Sequence, residues 1–198
     1  SNPHLTIQFN SKQDLKKIKK IINKKYSDIK FTESITGEGI ILIEDKIKGV
    51  LIKGIKENEK SRSFTNKEIV RGSLKDFSAG KVMIGGELAY NLNIEIGDKI
   101  NIVSSSFVNT PFGKIPKQES FLVAGTFNSG FYEFDQSLIY LELSDARSIF
   151  NKEENDLNLE IYLENPFLAE KYKKDLDALN QNNFISTWSE TNKSFFNA

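Results

Sequence analysis

The same strand–helix–strand pattern occurs near both ends of this 198-residue chain. The alternating stretch Leu5–Phe9 precedes a helical pattern of isoleucines and lysines, and Asn158–Leu163 precedes a second helical pattern at Phe167–Leu179. Alternation of apolar and polar residues is typical of half-buried strands, and apolar residues three or four positions apart are typical of helices. The sequence therefore predicts an α+β fold in which the two ends form one subdomain and a strand-rich segment is inserted between them.

Further strands and helices are predicted from apolar runs and capping residues. The additional strand patterns are Ile29–Glu33, Gly39–Glu44, Ile47–Ile55, Lys81–Gly86, Leu138–Leu143 and Phe184–Trp188. The predicted helices are 12–25 with Ser11 as N-cap, a short one from Thr65 or Asn66 to Arg71, Glu87–Leu92, Ala146–Phe150 capped by Ser144 and Asp145, and the start of one at Glu190–Phe196. The glycine pair Gly85-Gly86 lacks the spacing of a phosphate-binding loop, so we expect a tight strand-to-helix turn there.

One connection between two strands is much longer than a hairpin turn requires. The strand patterns Lys99–Val103 and Phe121–Phe127 are separated by residues 104–119, whereas hairpin loops usually have about 2–5 residues. Pro111 and Gly113 are placed as in a tight turn, which favours a stiff projection over a disordered segment. Such a projection would offer apolar and basic side chains to a partner. The alternative is a loop that folds back over its own core.

The composition narrows the possible functions. The chain has 27 basic and 27 acidic residues, so it lacks the net positive charge typical of nucleic-acid-binding proteins. It has no cysteine, which excludes disulfides, thiolate nucleophiles and zinc–thiolate sites. No apolar run reaches the roughly 20 residues that span a bilayer. Because the chain begins with Ser-Asn-Pro, as after removal of a tag, and ends at Phe195-Phe196-Asn197-Ala198 without an obvious polar terminus, we expect it to be a piece of a larger protein.

The sequence contains no familiar catalytic or metal-binding motif. The single histidine, His4, stands at the amino end, where a tag junction or a linker is the expected context. Neither a G-x-S-x-G nor an H-E-x-x-H motif occurs. We therefore expect a non-enzymatic binding or mechanical module without cofactor or metal. The alternative from a different class is a hydrolase with its active site in the aromatic-rich loop Asn128–Asp135, where Asp135 would be essential.

The order of several short motifs resembles that of one protein family. These motifs are Val82–Gly85, Leu88-Ala89, Asn91-Leu92, Gly97–Ile100, Thr110–Pro116, Val123–Phe127 and Ser129–Asp135. Each is weak alone, but their order and spacing together resemble the periplasmic domain of the LolC/LolE family of lipoprotein-releasing ABC transporter permeases, over the whole chain. The resemblance implies a MacB-like periplasmic fold, with a Porter-type subdomain made from residues 1–57 and 156–198 and a Sabre-type subdomain, 58–155, inserted between them.

The resemblance also implies a binding site in the long connection. In LolC-type subunits a protruding hook with a T-P-x-G-x-I-P motif engages the periplasmic lipoprotein chaperone LolA. The corresponding hook here consists of Thr110, Pro111, Phe112, Gly113, Lys114, Ile115 and Pro116. The expected hook base consists of Asn101, Lys117, Gln118 and Glu119. Family members have Arg and Gln at the base, so Asn101 and Glu119 depart from the pattern, which leaves Lys114 and Lys117 as the local cations.

The implied partners are those of an ABC transporter in the inner membrane. The parent protein would combine with a second permease subunit and a cytoplasmic ATPase, extract lipoproteins from the membrane and pass them to LolA. This domain would face the periplasm, and transmembrane helices outside this chain would anchor it. The subunit resembled is LolC-like or a fused LolC/LolE type. The alternative is a MacB-like efflux or FtsX-like permease whose partner is an adaptor or a cell-wall hydrolase, although we do not expect the hook motif in either.

Overall fold

The computed structural model describes residues 3–9, 11–26, 29–64, 68–152, 157–179 and 183–191. They form two compact units, which we call the terminal unit (within 2–34 and 153–198) and the central unit (35–152). These limits differ from the expected boundaries after residues 57 and 155. The assignment of Porter-type and Sabre-type subdomains stays a prediction.

The described residues form ten strands and six α-helices. The strands are β1 (Leu5–Gln8), β2 (Lys30–Ile43), β3 (Lys46–Ile55), β4 (Ile69–Gly72), β5 (Lys81–Gly85), β6 (Lys99–Thr110), β7 (Gly113–Phe127), β8 (Leu138–Glu142), β9 (Asn158–Tyr162) and β10 (Phe184–Thr187). The helices are α1 (Lys12–Lys25), α2 (Lys60–Ser63), α3 (Gly86–Leu92), α4 (Tyr132–Asp135), α5 (Leu143–Ile149) and α6 (Ala169–Leu179), with a further helical turn at 188–191. None of the helices in these ranges has the length and apolar composition needed to cross a membrane.

The terminal unit is built on an antiparallel sheet with the strand order β10-β1-β9-β2. Near one end of β1, Leu5 is paired with Thr187 on one side and with Ile161 on the other. β2 contributes residues 30–34 to this sheet. The apolar face of α1 is buried, as is Leu176 of α6. The strand–helix patterns predicted at both ends of the chain are confirmed.

Side-chain caps fix two helix starts in the terminal unit. Ser11 is the N-cap of α1, as predicted, and its hydroxyl accepts a hydrogen bond from the Asp14 N–H at 3.2 Å. The Glu190 carboxylate accepts from the Thr187 N–H at 2.8 Å, and Thr187 Oγ1 accepts from the Glu190 N–H at 3.3 Å. This reciprocal capping box begins the turn at 188–191. Of the helix predicted at Glu190–Phe196, residues 192–196 lie outside the described residues.

His4 is part of the folded terminal unit, so its interpretation as a tag junction or linker residue is wrong. Its Nδ1 accepts a hydrogen bond from the Leu163 N–H at 2.7 Å. Its backbone N–H donates to the Ile161 carbonyl at 2.8 Å, and its carbonyl accepts from the Trp188 N–H at 3.0 Å. Burial lowers the pKa of His4 below its ordinary value, because desolvation disfavours the charged imidazolium.

Acidification is expected to destabilise the terminal unit through His4. The unfolded chain binds this proton near its ordinary pKa of about 6.5, whereas the folded chain binds it only at lower pH. The stabilisation is therefore complete above about pH 6.5 and is lost as the pH falls through the folded pKa. Between about pH 7.5 and pH 5.5, we expect the melting temperature of the wild-type chain to fall more than that of His4→Gln, whose amide does not titrate. Equal falls would contradict this role.

The central unit contains a mixed sheet with the strand order β2-β3-β8-β5-β7-β4. β3 with β8 and β5 with β7 are parallel pairs, whereas β5 with β8 and β4 with β7 are antiparallel. β6 pairs with β7 and with β2. In the core of this unit, the rings of Phe64, Phe127 and Tyr140 contact one another with centroids 4.4 to 5.5 Å apart.

The connection from β5 to α3 is the tight turn that the glycine pair predicts. β5 ends at Gly85 and α3 begins at Gly86. A Cβ atom on Gly85 would lie 2.2 Å from the backbone oxygen of Asp135. Glycine is therefore needed at position 85 because another backbone segment passes against it.

One helix prediction and one strand prediction in the first half of the chain need correction. The short helix was expected to run from Thr65 or Asn66 to Arg71, but Ile69–Gly72 forms β4 and pairs with β7, and residues 65–67 lie outside the described residues. Pairing with a neighbouring strand here overrides the local helix signal. The patterns Ile29–Glu33 and Gly39–Glu44, expected as separate strands, belong to the single continuous strand β2.

The start of α5 also differs from the expectation. The helix begins at Leu143 instead of Ala146, and its N-cap is Glu142 instead of Ser144 or Asp145. The Glu142 carboxylate accepts a hydrogen bond from the Ser144 N–H at 2.6 Å. A glutamate can cap in this way because the free N–H groups at a helix start favour a negative charge.

Candidate partner-binding hairpin

Residues 104–119 are part of a long β-hairpin, so the expectation that the strands end at Val103 and resume at Phe121 is wrong. β6 continues to Thr110 and β7 begins at Gly113, which leaves Pro111 and Phe112 as the turn. The outermost cross-strand pairs are Phe107–Pro116, Val108–Ile115, Asn109–Lys114 and Thr110–Gly113. The hairpin projects its tip into solvent, since Phe112 is 100% exposed. The alternative of a loop folded back over its own core is therefore not what the structure shows.

Pro116 is the reason why the sequence does not predict a strand in the outer part of β7. Proline has no N–H and interrupts a strand that is hydrogen-bonded on both sides. In the described part of the chain, β7 has β6 as its neighbour at this position and gains β5 as a second neighbour only from Leu122 onwards. A proline is tolerated in such a two-stranded ribbon because one side of each strand needs no hydrogen bonds from the sheet.

The turn at the tip is held by the side chain of Thr110. Its hydroxyl donates to the Gly113 carbonyl at 2.7 Å and accepts from the Phe112 N–H at 3.3 Å. Gly113 has a φ of 122°, in the region that favours glycine. Pro111 restricts the remaining backbone freedom of the turn. The hook residues of the motif thus form a preorganised tip.

Apolar side chains are exposed on both faces of the ribbon behind the tip. Phe107 is 55% exposed, Val108 41% and Ile115 52%. Because directly paired residues share a face, Val108 and Ile115 lie together on one face, and Phe107 lies beside Pro116 on the other. Lys114 is also exposed, next to the turn. The tip therefore combines an apolar surface with one adjacent cation.

The four expected hook-base residues lie on two opposite faces of the hairpin. Side chains alternate along a strand, so Lys117 and Glu119 share one face of β7 and Gln118 lies on the other. Asn101 pairs with Ser120, whose hydroxyl donates to Asn101 Oδ1 at 2.5 Å, and this pair lies on the face of Gln118. The structure therefore does not bring the four residues into one patch. Their role in partner binding stays a prediction.

Lys117 and Glu119 contact the carboxyl end of α5. Lys117 Nζ donates to the Ser148 carbonyl at 2.6 Å and lies 3.6 Å from Glu119 Oε1. The Ser148 hydroxyl donates to the same Glu119 oxygen at 3.0 Å. A cation is favourable here because the last carbonyls of a helix carry partial negative charge. These two base residues are thus engaged within the central unit itself.

The other end of α5 is also fixed, through Asp145. Its carboxylate accepts a hydrogen bond from the Gly80 N–H at 2.7 Å. Burial raises the pKa of Asp145, and the neighbouring carboxylates of Glu142 and Glu119 raise it further, while the bond from Gly80 lowers it. Contacts at both ends therefore hold α5 within the central unit.

Several side chains that support the hairpin were not predicted from the sequence. These are Ser104 and Ser106 of β6, Ser148 of α5, and Asn151 after α5, which all hydrogen-bond between the hairpin and the end of α5. The run Ser104–Ser106 was a usable signal, because three successive serines interrupt the apolar alternation of a strand.

Asp135, on which the alternative hydrolase interpretation depends, makes a structural contact. Its side chain is buried, and its Oδ1 accepts from the Ser129 N–H at 2.7 Å. The predicted loop Asn128–Asp135 includes the single helical turn α4. Within the described ranges, no three His, Asp or Glu side chains are grouped to hold a metal ion. The geometry favours Asp135 as a residue that holds this segment in place.

The sequence is similar to LolC proteins from two organisms. The lipoprotein-releasing system transmembrane protein LolC of Neisseria meningitidis serogroup B is 24% identical over 203 residues, which cover 99% of this chain and 49% of that protein. LolC of Xylella fastidiosa is 28% identical over 102 residues, covering 50% of this chain and 25% of that protein. The chain thus spans about half the length of the Neisseria relative. No protein-family model matches the chain.

Two solved structures share the fold. The periplasmic region of MacB from Actinobacillus actinomycetemcomitans superposes with a TM-score of 0.57 at 14% identity, covering 98% of this chain and 94% of that one. The extracellular domain of the noncanonic ABC-type transporter YknZ from Gram-positive bacteria gives a TM-score of 0.54 at 13% identity, covering 92% and 100%. These comparisons confirm the resemblance predicted from the sequence: the chain is similar to LolC proteins and has the fold of MacB-like periplasmic domains.

Proposed function

We propose that this chain is the periplasmic domain of a LolC-like permease subunit and docks a LolA-type lipoprotein chaperone through its hairpin. The observation that carries the proposal is the preorganised tip, with a fully exposed Phe112 inside the motif Thr110–Pro116. Similarity to LolC proteins supports the assignment to a lipoprotein-releasing permease. The chain itself would be non-catalytic, because ATP hydrolysis would belong to a separate cytoplasmic subunit.

The proposed setting follows from the relatives. The parent protein would sit in the inner membrane with a second permease subunit, and this domain would face the periplasm. The complex would extract lipoproteins and transfer them to the chaperone bound at the hairpin. A carrier of acylated proteins must contain an apolar cavity for the acyl chains, and an apolar tip is the kind of group that such a cavity accepts.

The physical properties of the tip suit it to docking. A loop that is already ordered loses less conformational entropy on binding than a flexible one. The tip is ordered by the Thr110 hydrogen bonds and by Pro111. Aromatic anchors that fill a pocket on the partner contribute most of the binding free energy in many interfaces. Phe112 has the exposure and the position of such an anchor.

Site-specific photocrosslinking tests the proposal directly. The chain is prepared with p-benzoylphenylalanine in place of Phe112 and irradiated with the purified LolA-type chaperone of the same organism. The matched control carries the same group in place of Phe167, which is 96% exposed and lies in the terminal unit. We expect a crosslink from position 112 that excess unlabelled chain suppresses, and none from position 167. Equal crosslinking from both positions, or none from either, would contradict the proposal.

The same experiment distinguishes the proposed function from the alternative one. If the chain were part of a MacB-like efflux or FtsX-like permease, position 112 would crosslink to an adaptor or a cell-wall hydrolase and not to the chaperone. The MacB and YknZ neighbours share the fold at low identity, so they do not distinguish these partners.

A further inference from the structure

The strand pairing of the hairpin is irregular next to a cluster of hydrogen bonds to α5. The pairing of β6 with β7 shifts register between Val103 and Phe107, where the chain contains the serines Ser104–Ser106. A register shift of this kind leaves residues without ladder hydrogen bonds and bends the strand. It is therefore the point at which the ribbon could change direction relative to the rest of the central unit.

Both strands of the ribbon are bonded to α5 around this bend. On β6, Ser104 Oγ donates to the Ile149 carbonyl at 2.6 Å and Ser106 Oγ donates to the Phe150 carbonyl at 2.8 Å. Beyond the bend, the Asn151 side-chain amide donates to the Phe107 carbonyl at 3.1 Å. On β7, the Lys117 ammonium makes the bond to Ser148 described above. We call these side chains, together with Glu119, the polar clasp.

The clasp binds carbonyls at the end of a helix. The last carbonyls of a helix have no N–H from a continuing helical turn to bind them. The carbonyls of Ile149 and Phe150 accept hydrogen bonds from Ser104 and Ser106. The Ser148 carbonyl accepts from Lys117 in addition to the Asn151 N–H at 3.1 Å. Lys117 also lies 3.2 Å from Ser148 Oγ and 3.4 Å from Asn151 Oδ1. Its charge is therefore used within the chain, whereas that of Lys114 is presented next to the tip.

We propose that Lys117 is a positioning residue: through the polar clasp it fixes the direction of the hook, and it does not contact the partner. This proposal rests on the proposed function, because a fixed direction matters only if the hook docks a partner. The proposal differs from the sequence-based prediction, in which Lys117 and Glu119 belong to the partner-binding surface: here they hold the hook in place. Release of the clasp lowers the fraction of chains whose hook points in the binding direction, and the apparent affinity falls by that fraction.

Distances between spin labels measure the direction of the hook without any partner. The chain has no cysteine, so Asn109→Cys on the hairpin and Lys75→Cys elsewhere in the central unit give two unique labelling sites. We expect a narrow distance distribution in the otherwise unchanged chain and a broad one with Lys117→Met. Lys117→Arg, which keeps a charged donor, should restore the narrow distribution, and the matched control Lys114→Met should leave it unchanged. A narrow distribution with Lys117→Met would overturn the proposal.

Affinity for the LolA-type chaperone tests the functional part. We expect Lys117→Met to weaken binding about threefold or more, mainly through slower association, and Lys117→Arg to recover it. If Lys117→Met weakens binding but leaves the distance distribution unchanged, Lys117 contacts the partner and the proposal is overturned. If the distribution broadens but binding is unchanged, the direction of the hook does not affect docking, which also overturns the proposal. Ser106→Ala, which removes a different clasp bond, should act in the same direction as Lys117→Met. If the unchanged chain fails to bind the chaperone, the proposed function fails, while the distance distributions still decide whether the clasp fixes the hook.

Discussion

Replacing Phe112 by alanine is expected to weaken binding of the LolA-type chaperone by at least about tenfold. Truncation of an aromatic anchor in a protein interface typically costs about 2 kcal/mol or more, and tenfold corresponds to about 1.4 kcal/mol. Phe112 is fully exposed, so its removal takes no side chain out of the core. We therefore expect the melting temperature to stay unchanged while the affinity, measured by titration calorimetry, falls.

A matched control distinguishes loss of the anchor from loss of any exposed aromatic ring. Phe167 is nearly as exposed as Phe112 but belongs to the terminal unit. Phe167→Ala should leave chaperone binding unchanged. A Phe112→Ala chain that binds as tightly as the wild-type chain would remove the basis for the hook as the docking element.

Replacing Gly54 by alanine is expected to destabilise the central unit by about 1–3 kcal/mol, the usual cost of overpacking a closely packed contact. Gly54 lies in β3, and a Cβ atom there would be 2.3 Å from the Cβ of Ala146 in α5. The two elements cannot keep their present separation with both methyl groups in place. Urea unfolding of the wild-type and variant chains measures the difference in the free energy of unfolding.

The clash can be relieved from the other side. In the double variant Gly54→Ala, Ala146→Gly, the opposing methyl group is absent, and part of the lost stability should return even though glycine within a helix costs about 1 kcal/mol. Gly49→Ala serves as the control in the same strand, because a Cβ there meets no atom within 4 Å. If Gly49→Ala destabilises as much as Gly54→Ala, close approach of β3 and α5 is not the cause.

Local patterns predicted the terminal unit well for a physical reason. The alternation of apolar and polar residues in β1 and the spacing of apolar residues in α1 indicate which side of each element is buried. Ser11 indicates where α1 begins. Each of these signals lies within a few consecutive residues. The corresponding elements could therefore be predicted without knowing what they pack against.

Most errors occur where distant residues decide the structure; the start of α5, which Glu142 caps from two residues away, is a local exception. β4 depends on pairing with β7, and the structural role of His4 depends on Leu163, far away in the chain. The sequence predicts a loop in place of the outer hairpin because Pro116 is unusual in a strand. It is acceptable here because, in the described part of the chain, β7 has no second neighbouring strand at this position. The hook itself was predicted from a motif, whereas the polar clasp joins residues about 30 to 45 positions apart and has no local signature.

At the exposed tip, selection for partner binding can act separately from selection for a stable fold. The Phe112 side chain is fully exposed, so the core of the central unit does not constrain the chemistry at this position, whereas the φ of 122° favours glycine at position 113. Substitutions at position 112 can change which partner is preferred without a penalty in folding, provided that the backbone of the turn is kept. The hairpin is thus a module whose specificity can evolve, or be exchanged by grafting, independently of the domain that carries it.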